Sequence, residues 1–180
     1  MGKRLVWQGS FDMLCGIYCA AHLIACFKVK NSSPENQAEF YESAAETAFY
    51  KLMLSVEGCG LLTAERLARP NSKKSGFNDR QLEKIFNNLE DKDREGLIAI
   101  AFCRSKIKIL KNSERRAMLR RGACAIVNQS GENHWITVDG KHRDGGYYSF
   151  SPCLEDVNKS IPQIGWEKGL FVAEPKVIKF

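Results

Sequence analysis

Near residue 97 the apolar residues change rhythm, and no other feature of the chain restricts its fold as much. Before that point they recur at helical spacing. Ile17, Ala20, Ala21, Ile24 and Phe27 stand three or four positions apart or side by side, and Phe40, Ala44, Ala48, Leu52 and Val56 form a longer stripe. Such spacing lines one face of a helix. After that point the apolar residues come in runs of strand length: LIAIAFC (97–103), ACAIVNQ (123–129), HWITVD (134–139), YYSFS (147–151), GLFVA (169–173) and KVIKF (176–180). Leu5 to Trp7 reads as a further short strand. Helices followed by strands, rather than alternating with them, predict an α+β fold with an antiparallel sheet. The helical N-terminal half then packs against the β-sheet C-terminal half, with a cleft between them.

Turn chemistry sets the borders. Ser10 to Asp12 offers a turn before a helix from about Cys15 to Phe27. A second helix runs from Pro34 to about Val56, with Ser33 as N-cap, Pro34 at the first helical position and Glu35 at the positive end of the dipole. CGLLTAERLA continues as a short helix, residues 69–78 are a loop, and Asp79 to Leu89 is the third main helix. SERRAMLRRG is a brief helix stopped by Gly122. With 180 residues and no linker or repeat, one domain over residues 1–180 is expected.

Composition narrows the class. A hydrophobic fraction of 44% and a charged fraction of 27% suit a soluble globular protein. No apolar run nears the roughly 18 residues of a membrane span. MGKRLVWQGS has no apolar core of a secretory signal, and Val6 stands where a myristoylation signal has Ser or Thr. The seven cysteines are odd in number and scattered, several of them in apolar runs, which points to thiols in a reducing cytoplasm. No CxxC pair is present, and His22, His134 and His142 do not cluster with cysteines, so no zinc site is expected.

The net charge is +6, and eight basic residues stand between Arg104 and Arg121. That stretch reads as a solvated helix face, or as a docking surface for an acidic protein partner. No aromatic residues interleave with it, which disfavours nucleic acid.

The chemistry gathers on QGSFDMLCG (8–16) and on the strand that opens with His134. A cysteine at a helix start lies at the positive end of the helix dipole, which favours the thiolate. The backbone N–H of Cys15 and the side-chain amide of Gln8 are two donors for an oxyanion. Gly16 leaves room beside the nucleophile for a substrate backbone. In a strand, His134, Ile136 and Val138 share one face, and Trp135, Thr137 and Asp139 share the other. Should Asp139 oppose Tyr147 across the hairpin, His134 falls opposite Pro152. The group that orients the imidazole is then sought near residues 150–153, where Ser151 is the available acceptor.

Core burial is the reading for Cys19, Cys26, Cys59, Cys103 and Cys124. His22, seven residues beyond Cys15, is about 10 Å along the helix and too far to serve as its base. Trp7 and Trp135 are either core residues or walls of the cleft.

QGSFDMLCG, HW…VDG and YYSFSP together resemble the papain-like cysteine peptidases. They are most like the small bacterial branch that includes the double-glycine leader peptidases and their stand-alone relatives. The order of cysteine before histidine fits that branch. The resemblance implies a papain-like fold with Cys15 as nucleophile, His134 as general base and Gln8 as oxyanion donor. It implies cleavage of a peptide or isopeptide bond in a protein or peptide substrate through an acyl-enzyme, with no metal or organic cofactor.

Two positions depart from the family. Six residues separate Gln8 from Cys15 where five are usual, and Ser151-Pro152 stands where the family has Asp-Pro or Asn. The third catalytic place therefore falls to Ser151 or Asp139, or the enzyme runs as a Cys–His dyad. Two other outcomes share these residues: an acyltransferase or deamidase-type effector, and a non-catalytic interaction module.

Overall fold

The computed structural model describes residues 14–30, 37–68, 76–103, 124–128, 135–141, 147–150, 160–161 and 169–175. Helices α1 (Cys15–Lys30), α2 (Gln37–Gly58), α3 (Ala64–Ala68) and α4 (Asp79–Asn87) come first. Strands β1 (Leu97–Cys103), β2 (Cys124–Asn128), β3 (Trp135–Lys141), β4 (Tyr147–Phe150), β5 (Ser160–Ile161) and β6 (Gly169–Pro175) follow. The strands form one antiparallel sheet in the order β1-β6-β2-β3-β4-β5. The architecture is α+β, with helices and strands segregated along the chain. Among the described residues no helix is long and apolar enough to cross a membrane.

Helix α1 starts where the sequence places it. The Leu14 carbonyl accepts from the N–H groups of Ile17 (2.8 Å) and Tyr18 (3.0 Å), so Leu14 is the N-cap and Cys15 the first helical residue. The expected turn at Ser10 to Asp12 and the Ser33–Pro34 cap lie outside the described residues, as do the Leu5–Trp7 and KVIKF strands and the SERRAMLRRG helix.

The stripe on α2 needs a correction. Ala44, Ala48, Leu52 and Val56 are buried, but Phe40 is 40% exposed and Tyr41, at 1%, takes the inner place. A strict four-residue repeat advances about 400° per step against 360° per turn, so it drifts round a helix by about 40° each time. Over four steps Phe40 is carried away from the face that Leu52 and Val56 bury.

CGLLTAERLA does not continue directly as a helix. A turn with Gly60 at φ 69° intervenes, and α3 begins only at Ala64. Helix α4 is opened by a capping box: the Gln81 N–H donates to Asn78 Oδ1 at 2.9 Å, and the Asn78 N–H donates to Gln81 Oε1 at 3.0 Å. The N-x-x-Q pattern was present in the sequence as the signal for it.

Two clusters of buried side chains hold the helices. The larger joins Ile17, Leu23 and Ile24 of α1, Leu52 and Val56 of α2, and Leu82, Ile85 and Phe86 of α4 to Leu97, Ala99 and Trp135 of the sheet. The smaller lies where the far end of α1 meets the start of α2, and contains Ala25, Val29, Tyr41, Ala44 and Ala45. Helix α4 also covers the outer edge of β1. The Asn87 side chain donates to Ala99 O (2.9 Å) and accepts from Ala99 N–H (3.0 Å), and Glu83 Oε1 accepts from Ala101 N–H (3.2 Å). Edge groups that would otherwise invite another strand are thereby paired.

The hairpin register differs from the expected one by one position at Thr137 and Val138 and by two at Lys141. Thr137 faces Phe150 and Val138 faces Ser149, and an irregularity between Val138 and Lys141 then brings Lys141, not Asp139, opposite Tyr147. A bulge adds a residue to one strand and shifts every pair beyond it. A second omission is β5, two residues long and without a run of apolar residues to announce it.

Candidate active site

Cys15 is the first residue of α1, at the end of the helix that carries the positive dipole. Its side chain is 4% exposed and belongs to the larger core. Gln8, His134 and Ser151 lie outside the described residues, as do Cys153, His142 and the basic stretch 104–121. Asp139 lies on β3.

The described part of β3 is anchored on α1 close to Cys15. The Cys19 thiol, one helical turn beyond Cys15, donates to the backbone carbonyl of Trp135 at 3.3 Å. The Trp135 indole Nε1–H donates to Phe77 O at 2.8 Å, and its ring is buried in the larger core. Of the two roles open to Trp135, the core position is the one observed. Both faces of the strand are covered here, since Trp135, Ile136 and Thr137 are all buried. The Thr137 hydroxyl has no hydrogen-bond partner among the described residues.

Gly16 does not open onto a substrate channel. A Cβ placed on it would sit 2.9 Å from Cδ2 of Leu82, so the missing side chain serves the close packing of α1 on α4. Leu82 is 1% exposed and has little room to retreat.

The histidine expected to be a bystander has partners of its own. His22 is buried and hydrogen-bonded through Nδ1 to the hydroxyl of Tyr41 on α2. Cys26, one turn further along α1, places its sulfur 3.5 Å from His22 Nε2 and 3.8 Å from Nδ1. The His22 and Tyr41 rings meet edge to face with centroids 5.7 Å apart. Burial pushes the ionisation of Tyr41 far above its ordinary value of 10.0, and the nearby Cys26 and Cys19 thiols push it further. The phenol is therefore a neutral donor and acceptor at every ordinary pH.

Sequence reading assigned Cys26 to the core, and the structure leaves it only half-buried, as it does Cys59. The His-x-x-x-Cys spacing on one helix face was the available signal for the pair. Cys15, Cys19, Cys26 and Cys59 are all thiols. Among the described residues no group of three or more His, Cys, Asp or Glu is placed to hold a metal ion. Comparison of the chain with protein-family models, with curated protein sequences and with solved structures finds no match.

Proposed function

We propose that this chain is a papain-like cysteine hydrolase that cleaves a peptide or isopeptide bond. Cys15 is its nucleophile, His134 its general base, and Gln8 with the Cys15 N–H its oxyanion donors. One observation carries the reading: Trp135, the residue after His134, is hydrogen-bonded to α1 one turn from Cys15. Strand β3, which begins at Trp135, and the helix that Cys15 opens are thus adjacent elements.

The chemistry follows from those roles. His134 takes the thiol proton, and the helix dipole favours the resulting thiolate. The thiolate attacks the carbonyl carbon, and the two donors hold the oxygen as it becomes an oxyanion. His134 returns the proton to the leaving amine, and water releases the acyl group from the sulfur. Asp139 or Ser151 orients the imidazole, or it acts unassisted. The thiol state of four cysteines suits a reducing compartment such as the cytoplasm. The basic 104–121 stretch suits an acidic substrate or partner.

The burial of Cys15, at 4% exposure, favours a second reading. In it Cys15 is an ordinary core thiol, and the chain is an interaction module without activity. One measurement separates the two: the rate of alkylation at Cys15 against pH, resolved peptide by peptide, in wild type and in His134→Ala. A hydrolase gives fast reaction near pH 6 that His134→Ala abolishes, and Cys15→Ala then ends turnover in a folded protein. A module gives a Cys15 that is protected until the chain unfolds.

A further inference from the structure

We propose that Asp79 sets the substrate preference of the Cys15 site by receiving the charged head of a lysine or arginine side chain of the peptide. The inference rests on the hydrolase reading and names a class of substrate for it. Asp79 is the first residue of α4 and heads the stripe that this helix buries, ahead of Leu82 and Phe86. Residues three and seven apart share a helix face, so Asp79 stands one turn before Leu82, about 4.5 Å along the axis. Leu82 is the residue that packs on Gly16, next to Cys15. Two residues before Asp79, the Phe77 carbonyl accepts from the Trp135 indole. Cys15, Phe77, Leu82 and Trp135 belong to one buried cluster. Asp79 therefore lies at the end of the fold where α1, α4 and β3 all begin.

A carboxylate in the first turn of a helix is favoured by the dipole, and an exposed side chain serves that role. Asp79 is instead only 9% exposed. Its Oδ2 is enclosed and has no hydrogen-bond partner among the described residues. A buried carboxylate oxygen without a partner is unfavourable, and a cation brought to it offsets the loss of water. Arg66 of α3 reaches the same end of α4, but it donates to Gly76 O (3.3 Å) and to Gln81 Oε1 (3.2 Å). Asp79 takes part in none of the ion pairs among the described residues. The cation is left for a substrate to supply.

Lysine and arginine suit such a place. Their stems bury along apolar surface while the charged head seeks a polar partner. Phe77 and Leu82, on either side of Asp79 in the chain, are both buried apolar residues. The small exposed fraction of Asp79 is the mouth through which the head enters. A neutral side chain gains nothing from the carboxylate, and an acidic one is repelled. The demand concerns one side chain near the scissile bond. It is separate from any acidic surface that the 104–121 stretch attracts.

The test labels Cys15 of the full-length protein with three reagents and follows its peptide by mass spectrometry. They are the chloromethyl ketones of acetyl-lysine and of acetyl-norleucine, its neutral counterpart, and iodoacetamide as a small reference. Each rate is taken relative to that of the same reagent with glutathione. The lysyl reagent should label Cys15 at least tenfold faster than the norleucyl one. Asp79→Asn should shrink that ratio below about twofold and leave the norleucyl and iodoacetamide rates unchanged, which a purely structural role for Asp79 would not do. Equal lysyl and norleucyl rates in wild type, with iodoacetamide still labelling Cys15 ahead of Cys59, overturn the inference alone and need no variant. So does an undiminished ratio in folded Asp79→Asn. A Cys15 that lags Cys59 towards iodoacetamide in the folded protein removes the hydrolase reading, and this inference with it.

Discussion

The two buried clusters are built on different principles. The larger gathers branched and aromatic side chains from three helices and the sheet, and it encloses Cys15 among them. The smaller has Tyr41 as its one large residue among alanines and a valine, and from Tyr41 polar contacts run to His22 and on to Cys26. Where apolar volume is plentiful a thiol can be packed like any small hydrophobe. Where it is scarce, polar contacts in a low dielectric help to join the helices.

The strongest way to break the contrast is to empty the larger cluster. Phe86→Ala removes a fully buried ring and should cost about 3–5 kcal/mol in denaturant unfolding. A cost under 1 kcal/mol would mean that this region is not the principal core.

The smaller cluster should respond to alkali instead. The ionisation of Tyr41 lies above 10.0 when folded, so its stabilisation is complete below pH 10 and is lost as pH climbs towards the folded value. Over that window the loss should approach about 1.4 kcal/mol per pH unit. Tyr41→Phe should remove this alkaline slope, at an expense near neutral pH of about 1–2 kcal/mol for the lost bond to His22. Identical slopes in the two proteins would show that Tyr41 ionises freely.

Asn78→Ala tests whether the clusters are separable. Losing the capping box should cost about 1 kcal/mol. It should speed hydrogen exchange in α4 while leaving the alkaline signature of Tyr41 untouched. The smallest effect has the opposite sign. Thr137→Val replaces a buried hydroxyl that has no partner among the described residues, and should be neutral or stabilising by up to about 1 kcal/mol. A clear loss would reveal a hydrogen bond to that hydroxyl.

Much of this fold was legible. The change of rhythm at residue 97 coincides with the start of β1, and the starts of α1 and α4 fall at Cys15 and Asp79 as expected. What was missed depends on geometry that a pattern of types does not carry. Phe40 and Tyr41 are adjacent and both aromatic, and only the rotation of α2 against its neighbours decides which goes inside. The hairpin register turned on an irregularity that the turn residues do not announce. At the site, the position of Cys15 at its helix start was readable from local spacing. The Tyr41–His22–Cys26 contact was not, because its phenol arrives from another helix. Gly16 invited a chemical reading, whereas its actual neighbour, Leu82, is 66 positions away.

Strand β6 lies between β1 and β2, so among the described strands it is the sole bridge between β1 and the rest of the sheet. Its partners in β1 are made far earlier: Cys103 waits 66 positions for Gly169, and Leu97 waits 78 for Pro175. On a ribosome that adds about 5–20 residues per second, the helices can collapse several seconds before the sheet can close. Contacts of such long range are also slow to form. The inner edge of β1 stays open throughout that interval, guarded by α4 only on its outer side. A nascent chain of this protein is therefore most exposed to wrong pairing just before β6 emerges, and β6 acts as a clasp.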